Sequence, residues 1–265
     1  MKKIFLIAIF FGILTSCEDV IDVELNNAPP RLVVEANLYV WDNGSSSATV
    51  RLTTTAPFFD NNLPFVTDAD VKITDQNGVV YPFLYSQNGI YTSSHRPQWN
   101  VDYTLIIQYN GETYSATETL YNVSPLEYVE QRDDGGFSGE DIELKAFFSD
   151  PAGERNYYFF EGLSERGDAL DVYSDEFFDG NSIFGYYLVE DLAPGDEVQF
   201  NIYGVSEAYY NFMFILLQQT GGGGGPFETQ PATVRGNIVN ETNPDNFPLG
   251  YFRVSEVSTL NYTVQ

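Results

Sequence analysis

Few residues in this chain of 265 could carry out chemistry of their own. There is one histidine, His95, and one cysteine, Cys17, against 38 acidic side chains. His95 lies in the polar stretch SSHRP, which predicts a solvated loop position rather than a catalytic base. Without a second histidine the sequence offers no ordinary zinc site, and it has no G-x-S-x-G elbow. Glycosidase-type carboxylate pairs come from distant positions, so a carboxylate-based hydrolase stays open as a remote alternative.

Two acidic stretches offer the hard oxygen atoms that calcium prefers. They are TDADVKITDQNG at 67–78 and RDDGGFSGED at 132–141, and neither has the spacing of an EF-hand loop. In the first, Asp75, Asn77 and Gly78 are more simply turn residues between strands. The GGGGG run at 221–225 lacks the Lys-Ser/Thr of a phosphate-binding loop, and we expect a flexible loop there. We therefore predict no catalytic residues, no cofactor and no metal, although calcium remains a possibility.

The position of Cys17 predicts a covalent lipid anchor. It follows two lysines and an apolar run from Ile4 to Leu14, which is typical of a secretion signal and too short to cross a bilayer. The LTSC sequence that ends at Cys17 resembles the lipobox of bacterial lipoproteins. That resemblance implies that a signal peptide, residues 1–16, is removed and that the thiol then carries acyl chains such as palmitate. A secreted protein with an accidental cysteine is the simpler alternative.

Acidic residues directly after the cysteine indicate where such a lipoprotein would go. Glu18, Asp19 and Asp22 lie in the predicted tether, residues 17–27. They resemble the signal that sends Bacteroidota lipoproteins to the outer leaflet of the outer membrane. The resemblance implies a lipid-anchored protein that faces the cell exterior. An ordinary solvated tether is the alternative.

The charge of the chain excludes some partners. The formal net charge is −26, which would repel nucleic-acid phosphates and anionic membrane surfaces. Beyond Cys17 no cysteine is available for a disulfide, so stability must come from buried apolar surface. With 43% hydrophobic residues, including 21 Phe and 19 Tyr, the chain can form such a core.

Residues 28–122 are predicted to form one all-β domain, a sandwich like that of immunoglobulin domains. In RLVVEANLYV, apolar residues alternate with polar ones from Leu32 to Val40, which is the period of a half-buried strand. Asn110-Gly111 separates two alternating runs and predicts a hairpin with a type I′ turn. Further short strands follow one another between Asp, Asn, Gly and Pro clusters, as in a sandwich.

Residues 123–265 are predicted to form a second β-rich domain with one helix. The acidic and glycine-bearing stretch at 127–143 reads as a junction or loop. The helix is expected at 206–220, with Ser206 as N-cap and apolar residues around most of its circumference, so we expect it to be buried against a sheet. A membrane role for it is less favoured because its apolar part is too short. The segments GNIVN and LGYFRV are expected to pair within the second domain's sheet and pack on this helix. The aromatic run YSDEFFDGNSIFGYY at 173–187 is a candidate sugar- or partner-binding surface, although core strands explain it more simply.

The ordered series of segments resembles a Bacteroidota lipoprotein family, domain of unknown function 4249. The segments are APPRLVVEANLYV, DADVKITDQNGVVYPF, FSDPAGERNYYFF, FETQPATVRGNIVN and LGYFRVSEV. The resemblance implies a β-rich protein in two parts, the first like a transthyretin or carboxypeptidase-regulatory sandwich. Genes of that family lie beside SusC-like TonB-dependent transporters, which implies an accessory subunit of an outer-membrane barrel. The family offers no catalytic residues to carry over.

The function predicted from the sequence is therefore that of a non-catalytic, surface-exposed outer-membrane lipoprotein that works as a binding subunit of a barrel complex. The alternative is a free-standing module or adhesin that binds a glycan or a peptide. The ligand is not specified by any motif.

Overall fold

The computed structural model describes residues 29–220 and 232–265, apart from 58, 59, 61, 137 and 138. The described chain is mainly β, as the sequence predicted. The first strands are β1 (Leu32–Trp41), β2 (Ser46–Thr54), β3 (Asp70–Asp75), β4 (Val80–Gln87), β5 (Ile90–Ser93), β6 (Asp102–Tyr109) and β7 (Glu112–Thr119). The later strands are β8 (Leu126–Gly135), β9 (Asp141–Ser149), β10 (Tyr157–Ser164), β11 (Gly167–Ser174), β12 (Ser182–Tyr187), β13 (Glu197–Gly204), β14 (Val239–Asn240) and β15 (Leu249–Thr263). A 3₁₀ turn covers Asp175–Phe177, and one α-helix, α1, covers Glu207–Thr220.

The strands before residue 122 form a β-sandwich. Strands β1, β2 and β5 lie on one side, strands β3, β6 and β7 lie on the other, and β4 pairs with both β5 and β3. The predicted hairpin at Asn110-Gly111 is confirmed, because β6 pairs antiparallel with β7 and both turn residues have positive φ, 51° and 78°. The inward residues of the alternating strands, such as Leu38, Ile73 and Leu105, are fully buried between the layers.

A second core lies between a three-stranded sheet and one end of the large sheet. The small sheet has the order β12-β9-β8, and the facing strands are β10 and β13. Large aromatic side chains fill the gap, and Phe148, Phe160, Phe200 and Tyr187 are all completely buried. Each contributes more apolar area than an aliphatic side chain, which compensates for the lack of disulfides.

The last strand, β15, joins the two parts of the molecule. Its first half pairs in parallel with β1, with Phe252 opposite Ala36, and its second half pairs antiparallel with β13, with Leu260 opposite Phe200. The expectation that GNIVN and LGYFRV pair with the second domain's sheet is therefore wrong. Parallel pairing with β1 places LGYFRV in the sheet of the first part, and β14, from GNIVN, pairs with β7. Whether 28–122 and 123–265 fold as independent domains stays a prediction.

The helix is present where the sequence predicted it, but it is only partly buried. The Ser206 hydroxyl accepts a hydrogen bond from the backbone N–H of Tyr209 at 3.1 Å, which is the predicted N-cap contact. Tyr209 and Met213 pack on the large sheet, whereas Phe214 and Ile215 are 45% and 48% exposed. No helix within the described ranges is both long enough and apolar enough to span a bilayer.

Candidate functional site

A pocket of about 600 Å³ lies between α1 and the large sheet. Strands β1, β10 and β15 form its floor, the helix forms one wall and residues 232–234 form part of another. Its volume is typical of small-molecule sites in proteins. Most of the surface is apolar, from Phe159, Tyr209, Phe212, Met213, Leu216 and Tyr251, and the charged groups come from the floor as Glu35, Glu161 and Arg253.

Arg253 is the most unusual residue of this pocket. Its side chain is 6% exposed and lies within 5.0 Å of four aromatic ring centres, at 4.5 Å from Tyr203, 4.7 Å from Tyr209, and 5.0 Å from both Tyr39 and Phe159. One nitrogen, Nη2, donates a hydrogen bond to the Tyr39 hydroxyl. The other two, Nε and Nη1, are buried without a hydrogen-bond partner among the described residues.

Among the residues that the structure describes, the guanidinium of Arg253 also has no ion-pair partner. Within the described part of the chain, no carboxylate oxygen lies within the 4.0 Å of a salt bridge from it. Burial disfavours its positive charge, but the neighbouring phenol groups, that of Tyr209 first, outweigh this effect and raise the pKa of Arg253. Cation–π contacts offset part of the desolvation cost, at about 0.5–2 kcal/mol each. Arginine keeps its positive charge at neutral pH, and a counter-ion would stabilise it further.

Two carboxylates on the floor differ in how they are paired. Glu35 lies 3.9 Å from Arg51 and its side chain is 62% exposed, so water and Arg51 together screen its charge. Glu161 accepts hydrogen bonds through one oxygen, Oε2, from the Tyr203 hydroxyl at 2.7 Å and from the Asn201 amide at 3.4 Å. Its second oxygen, Oε1, has no hydrogen bond from the described residues. The floor thus presents one buried cation and one half-satisfied anion.

The alternation of β15 explains why an arginine points into this pocket. Tyr251 and Val257 face α1, whereas Phe252 and Val254, on the opposite face, enter the core of the sandwich. Arg253 shares the helix-facing side because side chains of a strand alternate in direction. A position that would face solvent in an uncovered sheet is buried here by the helix.

Close backbone contacts hold the segment before β14 against β15. A side chain on Gly236 would place its Cβ 1.7 Å from the carbonyl oxygen of Gly250, and a Cβ on Gly250 would lie 1.9 Å from that of Val34. The side-chain amide of Asn237 makes the two hydrogen bonds with Phe252 that the backbone of a neighbouring strand would otherwise make. It donates to the carbonyl of Phe252 at 2.8 Å and accepts from the N–H of Phe252 at 2.9 Å. The GNIVN and LGYFRV segments therefore lie in close contact, with glycine backbone against backbone and the Asn237 amide bonded to the backbone of Phe252.

A partly buried carboxylate, Glu118, lies at the N-terminus of α1. Its Oε1 accepts hydrogen bonds from Ser206, Asn237 and Tyr251, each at 3.3 Å. Burial raises the pKa of Glu118, and the three hydrogen bonds only partly counter this effect. This residue ties β7, the helix cap and β15 together.

Three aspartates meet outside the pocket, in neither of the stretches considered for calcium. Asp150, Asp175 and Asp179 offer oxygens that all lie within 4.8 Å of one another. Both oxygens of each buried member are already hydrogen-bonded to protein donors, Asp150 to the Tyr158 hydroxyl and the Gly180 N–H, and Asp175 to Arg155 and the Asn156 N–H. Protein donors thus hold both buried carboxylates of this loop in place. Of the two predicted stretches, Asp75 is a turn residue, accepting from the N–H groups of Asn77 and Val79.

His95 differs from its prediction as a solvated loop residue. Its ring stacks on Tyr81 with centres 3.8 Å apart and meets the edge of Tyr103 at 5.0 Å, and its Nε2 is buried without a partner among the described residues. Burial lowers the pKa of His95, although the nearby Asp75 opposes this effect. The partners come from other strands, so the local polar sequence gave no sign of them.

The predicted site residues lie in parts of the chain that the structure does not describe. Cys17, Glu18, Asp19 and Asp22, the tether they belong to and the glycines at 221–225 lie outside the described residues. In the aromatic run at 173–187, Phe177 is 92% exposed whereas Tyr187 is fully buried, so the run is divided between surface and core. The residue that sequence reasoning missed is Arg253. A signal was present, because an arginine interrupts the apolar run of LGYFRV.

Comparison with known proteins identifies a family but not a function. No curated protein matches the chain. Among solved structures, a segment of two fibronectin type-III domains from chicken tenascin is similar, with 13% sequence identity over 66% of this chain and 91% of that chain. Its TM-score of 0.23 is too low to support any argument from that similarity. The family model described as a domain of unknown function, DUF4249, matches residues 18–261, and the chain therefore belongs to the DUF4249 family.

Proposed function

We propose that this protein is a non-catalytic binding subunit, anchored by lipid at the outer membrane and displayed on the cell surface beside a TonB-dependent, SusC-like barrel. The observation that carries the binding role is the pocket under α1, whose apolar walls surround a buried guanidinium with no ion-pair partner among the described residues. Such a combination is typical of ligand sites, where a few polar groups orient a molecule held by apolar contacts. A free-standing binding module would use the same pocket without a barrel.

Co-purification tests the proposed partnership. The full-length protein, tagged at its C-terminus and extracted in mild detergent, should retain a large outer-membrane β-barrel in comparable amount. The control is a tagged lipoprotein of the same membrane treated identically. Recovery of the protein alone, together with undiminished uptake of nutrients in a deletion strain, would favour the free-standing module and contradict the transporter role.

The anchor depends on Cys17. The Cys17→Ser variant should not incorporate labelled palmitate and should be lost from the membrane fraction if it is processed. The palmitate label distinguishes lipidation from simple membrane association. Uptake of label by the variant would show that the lipid is not on this residue.

The surface location depends on the acids after the cysteine. Replacing Glu18, Asp19 and Asp22 by alanine should keep palmitate incorporation but reduce cleavage by protease added to intact cells. A matched control replaces the exposed acids Glu165, Asp168 and Glu190, which removes the same charge from the folded body. Equal cleavage of both variants and the parent would remove the support for surface export by these residues.

A further inference from the structure

We infer that the pocket under α1 binds an amino acid or short peptide with apolar side chains, holding its carboxylate at Arg253 and its ammonium group at Glu161. This inference rests on the binding role proposed above and names the chemical class of the ligand. It follows from the charges on the floor, the apolar walls and the way the two charged groups are left incompletely paired.

The carboxylate end is argued from Arg253. Two nitrogens of this buried cation have no hydrogen-bond partner among the described residues, and a buried charge without its partner destabilises a protein. A carboxylate entering from the pocket supplies hydrogen-bond acceptors and the missing negative charge. A phosphate dianion fits less well because Glu161 lies on the same floor and would repel a second negative charge.

The ammonium end is argued from Glu161. Its Oε2 accepts hydrogen bonds from Tyr203 and Asn201, whereas its Oε1 has no hydrogen bond from the described residues. The Glu161 side chain lines the pocket, so a ligand can reach it. The other floor carboxylate, Glu35, has Arg51 at 3.9 Å and is largely exposed, so solvent screens its charge. Among the described residues, one buried cation and one anion therefore remain incompletely paired, and a zwitterion matches both without adding net charge.

The walls set the nature of the side chains. Phe212, Met213 and Leu216 of α1 face the pocket together with Phe159 from β10. Burying apolar ligand surface against them favours binding in proportion to the area removed from water. A cavity of about 600 Å³ admits a dipeptide, whereas a long or polar peptide would leave its backbone groups unpaired against these walls.

Access to Arg253 requires a small rearrangement. The side chain is 6% exposed, and the Tyr209 ring, which also lines the pocket, lies 4.7 Å from the guanidinium. Tyr209 belongs to α1, and a change of its side-chain rotamer that moves the ring off the guanidinium would open Arg253 to the ligand. Side-chain rearrangements of this size are common when ligands bind.

Three related peptides test the inference in the purified full-length protein by isothermal titration calorimetry. The probes are the dipeptide Phe-Leu, its N-acetyl form and its C-terminal amide. Phe-Leu should bind, and blocking either end should weaken binding about 10- to 100-fold, because each loses a charged hydrogen bond. Binding of both blocked forms as tightly as Phe-Leu, or no binding of any peptide at millimolar concentration, would overturn the inference.

Two variants assign each end to its residue. Glu161→Gln should weaken Phe-Leu as much as acetylation does and should not weaken the acetylated peptide further. Arg253→Met should behave in the same way toward the amide. The controls are Glu165→Gln and Arg166→Met. Neither residue lines the pocket: Glu165 is exposed, and Arg166 forms an ion pair with Asp196 at 2.8 Å. If Arg253→Met does not fold, the peptide series and Glu161→Gln still decide, and equal losses in the controls would contradict the assignment.

The outcomes separate this inference from the proposed function. A barrel that co-purifies with a protein unable to bind any of the three peptides would overturn the ligand class and leave the barrel partnership standing. Binding of Phe-Leu with the predicted dependence on both ends, but without a barrel, would support the ligand class in a free-standing module.

Discussion

Replacing Asn237 by alanine tests whether its side-chain amide, acting in place of a strand backbone, holds the segment before β14 against β15. The amide of Asn237 makes both a donor and an acceptor bond with the backbone of Phe252, at 2.8 and 2.9 Å. Phe252 is fully buried, so water cannot readily replace the lost partner. Two net hydrogen bonds of about 1 kcal/mol each, plus the cost of leaving a buried donor or acceptor unpaired, give an expected loss of about 2–4 kcal/mol in the free energy of unfolding.

Urea denaturation followed by circular dichroism measures this loss. The control is Asn261→Ala, which removes the same side chain from an exposed position on the same strand, β15, and should change stability by less than about 0.5 kcal/mol. Asn237→Asp keeps the acceptor but loses the donor and adds a charge near Glu118, so it should be at least as unstable as the alanine variant at neutral pH. If both Asn237 variants were as stable as the Asn261 control, the strand-like role of the amide would be refuted.

Three further perturbations probe the core, the buried carboxylate and the histidine. Phe252→Ala should lower the free energy of unfolding by about 3–5 kcal/mol, measured in urea, because a fully buried ring is removed. Glu118→Gln should gain stability relative to the parent as the pH rises from 5 to 8. Because the pKa of Glu118 is raised in the folded state, its stabilising contribution is complete below the ordinary value of 4.5 and is lost as the pH rises through the folded-state pKa. If the variant showed the same dependence of stability on pH as the parent, the pH dependence would not come from Glu118. His95→Ala should cost about 0.5–1.5 kcal/mol through the lost stacking on Tyr81, and binding of Phe-Leu should be unchanged; loss of binding without unfolding would contradict the assigned pocket.

Local features of the fold were predictable from sequence because a few adjacent residues determine them. Asn110-Gly111 specifies a turn with positive φ at both positions, and the structure has it. Ser206 caps the helix through a contact with a residue only three positions away. These interactions need no knowledge of the rest of the chain.

Interactions between distant segments were not predictable in this way. The pairing of β15 with β1 brings Ala36 beside Phe252, and a parallel pair leaves no turn signal in the sequence. In sequence, Arg253 stands where an alternating strand with one solvated face would have a polar residue. That α1 covers this face and buries Arg253 is seen only in the structure. His95 has polar neighbours in sequence, whereas Tyr81 and Tyr103 reach it from other strands.

The shared strand β15 has a consequence for the order in which the protein folds. Tyr39 and Arg253, which meet across β1 and β15, are 214 residues apart in the chain. Until the last strand is synthesised, β1 lacks one neighbour and presents an unpaired edge, a template for pairing with other chains. Such non-local pairing also slows folding, because a long loop must close before the contacts form. The sandwich is thus completed only when residues 249–263 have been made, and until then this edge of β1 has no partner from β15.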